Sequence, residues 1–187
     1  PEKCDVCQSK RIKIKMIWIG KERPQSTSYC FDPTPHFQYF TQYANTPKYL
    51  KDKETGLTES MSIQGSCFML TRKKYFELNI CDESLGNWGS QGIEVALKTW
   101  LSGGRVLVNH NTWYAHLFRT NATLEFPWPA SGRDQQKTRD KVKDLLWNHK
   151  WPLAIHPIYW LVERFWPVNG WKQEDLDKLK EHESSFN

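Results

Sequence analysis

One amphipathic segment constrains the fold of this chain more than any other. From Ile93 onward, apolar residues recur every three or four positions, and Gly103-Gly104 follows where such a helix would end. The apolar positions are Ile93, Ala96, Leu97, Trp100 and Leu101. This spacing places them on one face of an α-helix, and that face needs a core to pack against. Arg105–Val108 then has the composition of a strand, so the segment predicts a helix followed by a strand.

Strand and helix patterns alternate along the rest of the chain. The further predicted strands are Arg11–Ile19, Ser66–Leu70 and Trp113–His116. The further predicted helices are His36–Tyr43, Lys73–Leu78, Ser131–His149, Ile158–Phe165 and Gln173–Glu183. Alternation with short connections predicts an α/β domain in which the Ser66–Leu70 and Arg105–Val108 strands lie together in a mixed sheet, with helix Ile93–Leu101 packed on one face.

Size and charge narrow the class of protein. A chain of 187 residues is long enough for one domain with a sizeable core, and a mean hydropathy of -0.71 is that of a soluble globular protein. No apolar run is long enough to span a membrane and no signal peptide opens the chain, so we expect a cytoplasmic protein. A net charge of +5 is too mild to indicate nucleic acid, which stays an unlikely partner.

Cysteine usage points to a reducing compartment. Five cysteines cannot all pair within one chain. Cys4 and Cys7 form the only closely spaced pair and could supply half of a zinc site, completed by Cys30, His36, Cys67 or Cys81. Since no second pair has the expected spacing, ordinary thiols are the simpler interpretation.

A series of short motifs between Ser62 and Arg119 carries the functional signal. In chain order they are Gly65-Ser-Cys-Phe-Met-Leu-Thr-Arg72, Tyr75-Phe76-Glu-Leu78, Cys81-Asp82-Glu83, Trp88-Gly89-Ser-Gln-Gly-Ile-Glu94 and Ala115-His116-Leu-Phe-Arg119. This ordered set resembles the second half of the catalytic domain of family-2-type glycosyltransferases with the GT-A fold, including relatives of the polypeptide N-acetylgalactosaminyltransferases. The stretch from Trp88 to Glu94 is similar to that family's Trp-Gly-x-Glu-x-x-Glu helix start.

The resemblance implies transfer of a hexosyl or N-acetylhexosaminyl group from a nucleotide-sugar donor to a glycan or other hydroxyl acceptor. In such enzymes the first half of the domain carries nucleotide-binding strands and an Asp-x-Asp or Asp-x-His motif that holds a divalent metal, Mn²⁺ or Mg²⁺. Residues 1–61 contain neither motif. We therefore expect a GT-A-like mixed sheet with packed helices, an incomplete nucleotide-binding half and extra C-terminal helices.

The predicted division is a single domain, 1–187. Residues 11–120 form the acceptor-side core, and residues 121–187 form a helical extension rich in Trp and Pro. Taken alone, such a chain is expected to be inactive.

The same resemblance assigns catalytic and metal-binding roles. His116 matches the family's metal-binding histidine, with His110 as the nearby alternative. Gln91 stands where the family has its first Glu, which leaves Glu94 as the acid nearest that position and a candidate general base. Asp82 and Glu83, in the preceding turn, are the other candidates for this carboxylate. Arg119 could pair with the donor diphosphate through its planar fork of donors.

Acceptor binding is assigned to residues just before that helix. Trp88, Gly89 and Asp82 are the predicted substrate-binding residues, with Trp88 stacking on an apolar sugar face. Trp88, Asp82 and Glu94 each have a structural alternative. Trp88 could pack in the core, Asp82 could form a turn or cap, and Glu94 could occupy a position that the helix dipole favours. We expect Trp88, Glu94 and His116 to line one concave face.

An alternative function uses the aromatic residues for binding or structure and does not catalyse transfer. A non-catalytic carbohydrate-binding or structural module, derived from such an enzyme, fits the presence of Gln91 where an acid is expected. The His116–Arg119 segment favours descent from the enzyme.

Overall fold

Helices dominate the described part of the chain. The computed structural model describes residues 3, 6–9, 19–21, 27–86, 88–116 and 132–184. The strands are β1 (Tyr29–Phe31), β2 (Phe37–Tyr39), β3 (Leu57–Glu59) and β4 (Leu107–Asn109). The helices are α1 (Thr41–Ala44), α2 (Pro47–Glu54), α3 (Arg72–Glu77), α4 (Gln91–Leu101), α5 (Gly132–Trp147), α6 (Ile158–Arg164) and α7 (Gln173–Ser184).

The strands form two small antiparallel sheets. Strand β1 pairs with β2, so that Cys30 lies opposite Gln38. Strand β3 pairs with β4, so that Glu59 lies opposite Leu107. A bridge between Tyr29 and Ser62 connects the first sheet to the segment that follows β3.

Helix α4 lies at the centre of the core. Its residues Ile93, Leu97 and Trp100 are buried, as the spacing predicts, and the predicted helix Ile93–Leu101 is confirmed within Gln91–Leu101. Buried residues of α5, α6 and α7 join the same apolar cluster. The indole of Trp171, in the segment before α7, donates a hydrogen bond to the Phe31 carbonyl at 2.6 Å. The C-terminal helices therefore share their core with the rest of the described chain.

The predicted fold class is confirmed as a mixed α/β arrangement consistent with a partial GT-A-like domain. The helices predicted near Lys73–Leu78, Ser131–His149, Ile158–Phe165 and Gln173–Glu183 correspond to α3, α5, α6 and α7. The Arg105–Val108 strand corresponds to β4, shifted toward the C-terminus.

Three details of the prediction are wrong. Ser66–Leu70 forms no strand, because Met69 is 96% exposed and the segment packs no continuous apolar face. The partner of β4 is instead β3, whose Leu-Thr-Glu sequence has no strong hydropathy signal. The strands accordingly pair in two antiparallel sheets rather than one mixed sheet, within the described residues.

The predicted helix His36–Tyr43 contains β2 and the start of the short helix α1. Trp113–His116 is irregular. The predicted strand Arg11–Ile19 lies outside the described residues except for Ile19. Ser131, the first residue of the predicted helix Ser131–His149, also lies outside them.

Candidate functional site

Two glycines bring the start of α4 against the segment that follows β3. A Cβ on Gly92 would lie 1.9 Å from the Ile63 carbonyl oxygen, so no side chain fits there. A Cβ on Gly65 would lie 2.9 Å from Oε1 of Gln91. Residues 63–65 and the first turn of α4 are therefore in direct contact, which places Gln91 beside Gly65.

A polar cluster connects this contact to the segment before His116. The Tyr29 hydroxyl donates to Oε1 of Gln64 at 3.2 Å, and the Tyr114 hydroxyl reaches the same oxygen at 3.3 Å. The hydroxyls of Ser66 and Tyr114 are 2.9 Å apart. Because these groups both donate and accept hydrogen bonds, the cluster offers the chemistry that sugar hydroxyls require.

Gln91 also contacts the acidic turn. Its Nε2 donates to Sγ of Cys81 at 3.0 Å. Cys81 in turn raises the pKa of the Tyr75 hydroxyl, chiefly through a hydrogen bond. The predicted catalytic position Gln91 thus joins Gly65 and Cys81, two parts of the motif series that are separate in sequence.

Glu94 is buried beneath this surface. The residue is 4% exposed, and its Oε1 accepts from Nζ of Lys98 at 2.8 Å and from the Asp82 backbone N–H at 3.1 Å. Lys98 Nζ also donates to the Asn79 carbonyl at 2.7 Å and lies 3.8 Å from Oδ2 of Asp82. We call Asn79, Asp82, Glu94 and Lys98 the Lys98 cluster.

The Lys98 cluster holds the turn before α4 onto the helix. Asp82 caps the short 3₁₀ turn Glu83–Leu85 by accepting from the Ser84 N–H at 2.9 Å. A general base has to reach its substrate, and the Glu94 carboxylate does not reach solvent in this arrangement. Glu94 therefore does not line an open face with Trp88 and His116, and its catalytic role stays a prediction.

Trp88, Gly89 and His116 are placed at the surface. Trp88 is 45% exposed, and His116 is exposed. Gly89 has a φ of 114°, a conformation that favours glycine, and packs against Gln135 of α5. Arg119 lies outside the described residues.

The resemblance predicts one ligand of a divalent metal among the described residues. His116 is the imidazole that the resemblance assigns to it, whereas Mn²⁺ and Mg²⁺ take several ligands, mostly oxygens. The described residues contain no group of three His, Cys, Asp or Glu side chains that could hold a metal ion. They therefore fit at most one position of such a site.

The other predicted metal ligands are His110 and the cysteines of the possible zinc site. Nε2 of His110 lies 2.8 Å from the Thr58 hydroxyl, and burial lowers the pKa of His110. Burial also raises the pKa of Cys30 to about 12, which disfavours the thiolate that zinc requires. Cys4 lies outside the described residues, so the zinc site at Cys4 and Cys7 stays a prediction, as does the cytoplasmic location.

The sequence does contain one Asp-x-Asp, at Asp175-Leu176-Asp177. It lies within α7, where Asp175 accepts from the Lys172 N–H and Asp177 accepts from the Gln173 side chain. Residues two apart on a helix do not share a face. The pair therefore does not form the two-carboxylate clamp of a donor site.

Sequence reasoning assigned no role to three residues of the polar cluster, Gln64, Ser66 and Tyr114. The available signal was Gly65, since an isolated glycine in a strand-like pattern indicates close approach of another backbone. Their hydrogen bonds join positions about 50 residues apart, and no local pattern contains that information.

Comparison with known proteins finds similarity to N-acetylgalactosaminyltransferases. No family model matches the chain. The chain is 29% identical over 104 residues to probable N-acetylgalactosaminyltransferase 6 of Caenorhabditis elegans, covering 56% of the chain and 17% of that protein. It is 26% identical over 109 residues to polypeptide N-acetylgalactosaminyltransferase 5 of Rattus norvegicus, covering 52% and 11%. Over 49 residues it is 49% identical to probable N-acetylgalactosaminyltransferase 8 of C. elegans, covering 26% and 12%.

The resemblance to the polypeptide N-acetylgalactosaminyltransferases is therefore confirmed. The chain spans less than a fifth of the length of these curated relatives. Among the described residues, no helix combines the length and apolar character needed to cross a membrane.

Proposed function

We propose that this chain supplies the acceptor side of a glycosyltransferase that moves a hexosyl or N-acetylhexosaminyl group from a nucleotide-sugar donor to a hydroxyl of a glycan or peptide. The observation that carries the proposal is the contact between Gly65, Gln91 and Gly92. It brings two of the motifs that resemble the transferases, Gly65–Arg72 and Trp88–Glu94, into direct contact. The similarity to N-acetylgalactosaminyltransferases supports the sugar class.

The roles follow from the chemistry at that surface. Trp88 offers a half-exposed indole on which an acceptor sugar stacks. Gln91, Gln64 and Tyr114 offer amide and hydroxyl groups that hydrogen-bond the acceptor's own hydroxyls and fix its orientation. Gly89 and Asp82 shape the backbone around Trp88.

Departure of the donor's diphosphate also requires groups that are not among those described at this surface. Departure of the diphosphate needs positive charge, which a divalent cation supplies when bound. His116 would be this chain's ligand to that cation, and Arg119 would pair with the diphosphate. Glu94 would support the transfer by positioning the turn and helix start through the Lys98 cluster.

A second candidate has its own support. Gln91 cannot ionise as an acid would, and Glu94 is sealed in an ion pair with Lys98. Both observations favour a non-catalytic carbohydrate-binding module. Both candidate functions bind sugar at Trp88, and they differ in whether sugar is transferred.

Sugar binding at Trp88 is tested by saturation-transfer NMR with the chain and a panel of N-acetylgalactosamine, its peptide glycosides and glucose. We expect an N-acetylhexosamine to bind, and the Trp88→Ala variant to bind at least about fivefold more weakly because the stacking face is lost. Phe76→Ala, which removes an exposed ring on α3, should bind as the unchanged chain does. Equal binding by Trp88→Ala would contradict the assignment.

Release of nucleoside diphosphate then separates the two candidates. Because transfer also needs a donor site, the assay uses this chain fused to the donor-binding half of an N-acetylgalactosaminyltransferase. Release from a nucleotide N-acetylhexosamine by the fusion, with acceptor and Mn²⁺ present, favours the transferase, and glycan binding without release favours the module.

A further inference from the structure

A concave surface lies between α2, the β3–β4 sheet and α6. The cavity has a volume of about 420 Å³ and opens to solvent. Cavities of a few hundred Å³ are the size at which proteins bind small organic molecules. None of the residues predicted from the sequence to bind sugar or metal lines it.

The floor of the cavity is a buried carboxylate held by three cations. Glu59 is 6% exposed. Nη2 of Arg164 lies 2.8 Å from Oε1 and 2.9 Å from Oε2 of Glu59. Nε of Arg105 lies 3.3 Å from Oε1, and Nζ of Lys48 lies 3.7 Å from Oε2. We call Lys48, Glu59, Arg105 and Arg164 the Glu59 cluster.

The charges around the cavity leave positive charge in excess. Its lining includes the three cations and two carboxylates, Glu59 and Asp52. Asp52 pairs with Lys48 at 2.9 Å. One positive charge therefore remains after pairing, at a surface where partial burial strengthens electrostatic attraction.

Arg105 is the group with donors to spare. Its side chain is 65% exposed and contacts Glu59 through Nε. A guanidinium carries five N–H donors, so the two terminal nitrogens can still bind an oxyanion with their forked geometry. Lys48, also exposed, adds a second donor at the same rim.

An apolar strip adjoins these donors. Leu57 and Leu107 both line the cavity and are both partly exposed. Leu107 lies opposite Glu59 in the sheet, and Leu57 lies two residues from Glu59, so all three share one face of the sheet. A ligand bound by Arg105 could therefore rest an apolar body on the two leucines.

We propose that this cavity binds an organic phosphate monoester, with its phosphate on Arg105 and Lys48 and its apolar or planar body on Leu57 and Leu107. A phosphate is favoured over a carboxylate because its tetrahedral oxygens accept from a guanidinium and an ammonium together. The inference is independent of the function proposed for Trp88 and Gln91.

The test is a calorimetric titration of the chain with phenyl phosphate, inorganic phosphate and phenol. We expect phenyl phosphate to bind with a dissociation constant of about 0.1–1 mM. Inorganic phosphate should bind at least about threefold more weakly, and phenol should give no saturable heat, since the site needs both charge and apolar contact. Absence of phenyl phosphate binding would overturn the proposal, and so would equal affinity for both phosphates.

Variants locate the binding. Arg105→Gln should weaken phenyl phosphate at least about fivefold, because a charge-assisted hydrogen-bond pair is lost. Arg72→Gln, an equal charge change at an exposed position on α3, should have no effect. Lys48→Gln provides a second, independent variant if Arg105→Gln does not fold, and Lys51→Gln on the same helix is its control. Unchanged affinity in the folded Arg105 or Lys48 variant would place the phosphate elsewhere and overturn the proposal.

Discussion

Two buried glutamates of this protein, Glu94 and Glu59, are neutralised by cations in different ways. Both carboxylates are almost completely removed from solvent and both are paired with cations. Glu94 pairs with Lys98, one helical turn further along α4 and itself fully buried. Glu59 pairs with Arg105 and Arg164, which lie 46 and 105 residues away and remain partly exposed.

The difference separates a structural cluster from a surface that can accept a ligand. In the Lys98 cluster each charge is satisfied inside the protein, and its effect is to hold the turn at residues 79–82 onto α4. In the Glu59 cluster the cations retain donors toward an open cavity. Burial of a carboxylate alone therefore does not indicate function; the exposure of its partners does.

The largest expected effect is from removing the cation of the sealed cluster. Lys98→Met leaves Glu94 buried without its partner, and breaking a buried pair in this way costs about 3–5 kcal/mol of unfolding free energy. Urea unfolding followed by circular dichroism measures the loss. The double variant Lys98→Met with Glu94→Leu removes both charges and should recover most of it. A loss of less than about 1 kcal/mol in the single variant would show that Glu94 is not sealed.

A smaller loss is expected in the open cluster. Arg164→Met removes two hydrogen bonds to Glu59 and a cation–π contact with Trp100, but Arg105 and Lys48 still neutralise the carboxylate. We expect a loss of about 1–3 kcal/mol in the same urea experiment. Arg133→Met, at an exposed position on α5, is the matched control and should be nearly neutral. A loss as large as that of Lys98→Met would remove the contrast between the clusters.

The smallest effect is in the acid response of the Lys98 cluster. Hydrogen bonds from the Ser84 side chain and backbone, together with the charge of Lys98, hold the pKa of Asp82 below its usual 3.8, although desolvation acts against them. A lowered pKa in the folded state means that the stabilisation is present above the unfolded pKa and is lost as pH falls through the folded pKa.

The stability difference between the unchanged chain and Asp82→Asn should therefore shrink as pH is lowered from 6 to about 3. Urea midpoints across that range measure it, with Asp140→Asn on an exposed part of α5 as control. A difference that does not depend on pH would mean that the charge of Asp82 contributes nothing.

The contrast between the clusters also explains what the sequence could predict. Helix α4 was predictable because its apolar spacing and its terminal glycines are local features, and the Glu94–Lys98 pair lies within that helix. Strand β3 was not predictable, because the buried residues Thr58 and Glu59 find their partners far along the chain, in His110 and the distant arginines. The polar pair Thr58-Glu59 carries no local signal of burial.

The candidate site also combines residues that local sequence predicts with residues that only the fold brings together. Gln91 and Trp88 could be placed near the start of α4 from the motif alone. The hydrogen bonds of Tyr114 to Ser66 and Gln64 depend on two irregular segments that meet only in the folded chain. Hydropathy predicts a strand at Ser66–Leu70 because it does not record which side of a segment meets solvent, and Met69 of this run is exposed.

The central claim, that this chain carries the acceptor side of a sugar-transfer site without the donor's diphosphate site, is tested most directly by calorimetry with uridine or guanosine diphosphate and MnCl₂. One candidate histidine ligand leaves Mn²⁺ nearly as hydrated as in solution. We therefore predict a dissociation constant weaker than about 1 mM, unchanged by adding Mn²⁺. Micromolar binding of the nucleotide that requires Mn²⁺ would contradict the account and indicate a complete donor site within this chain.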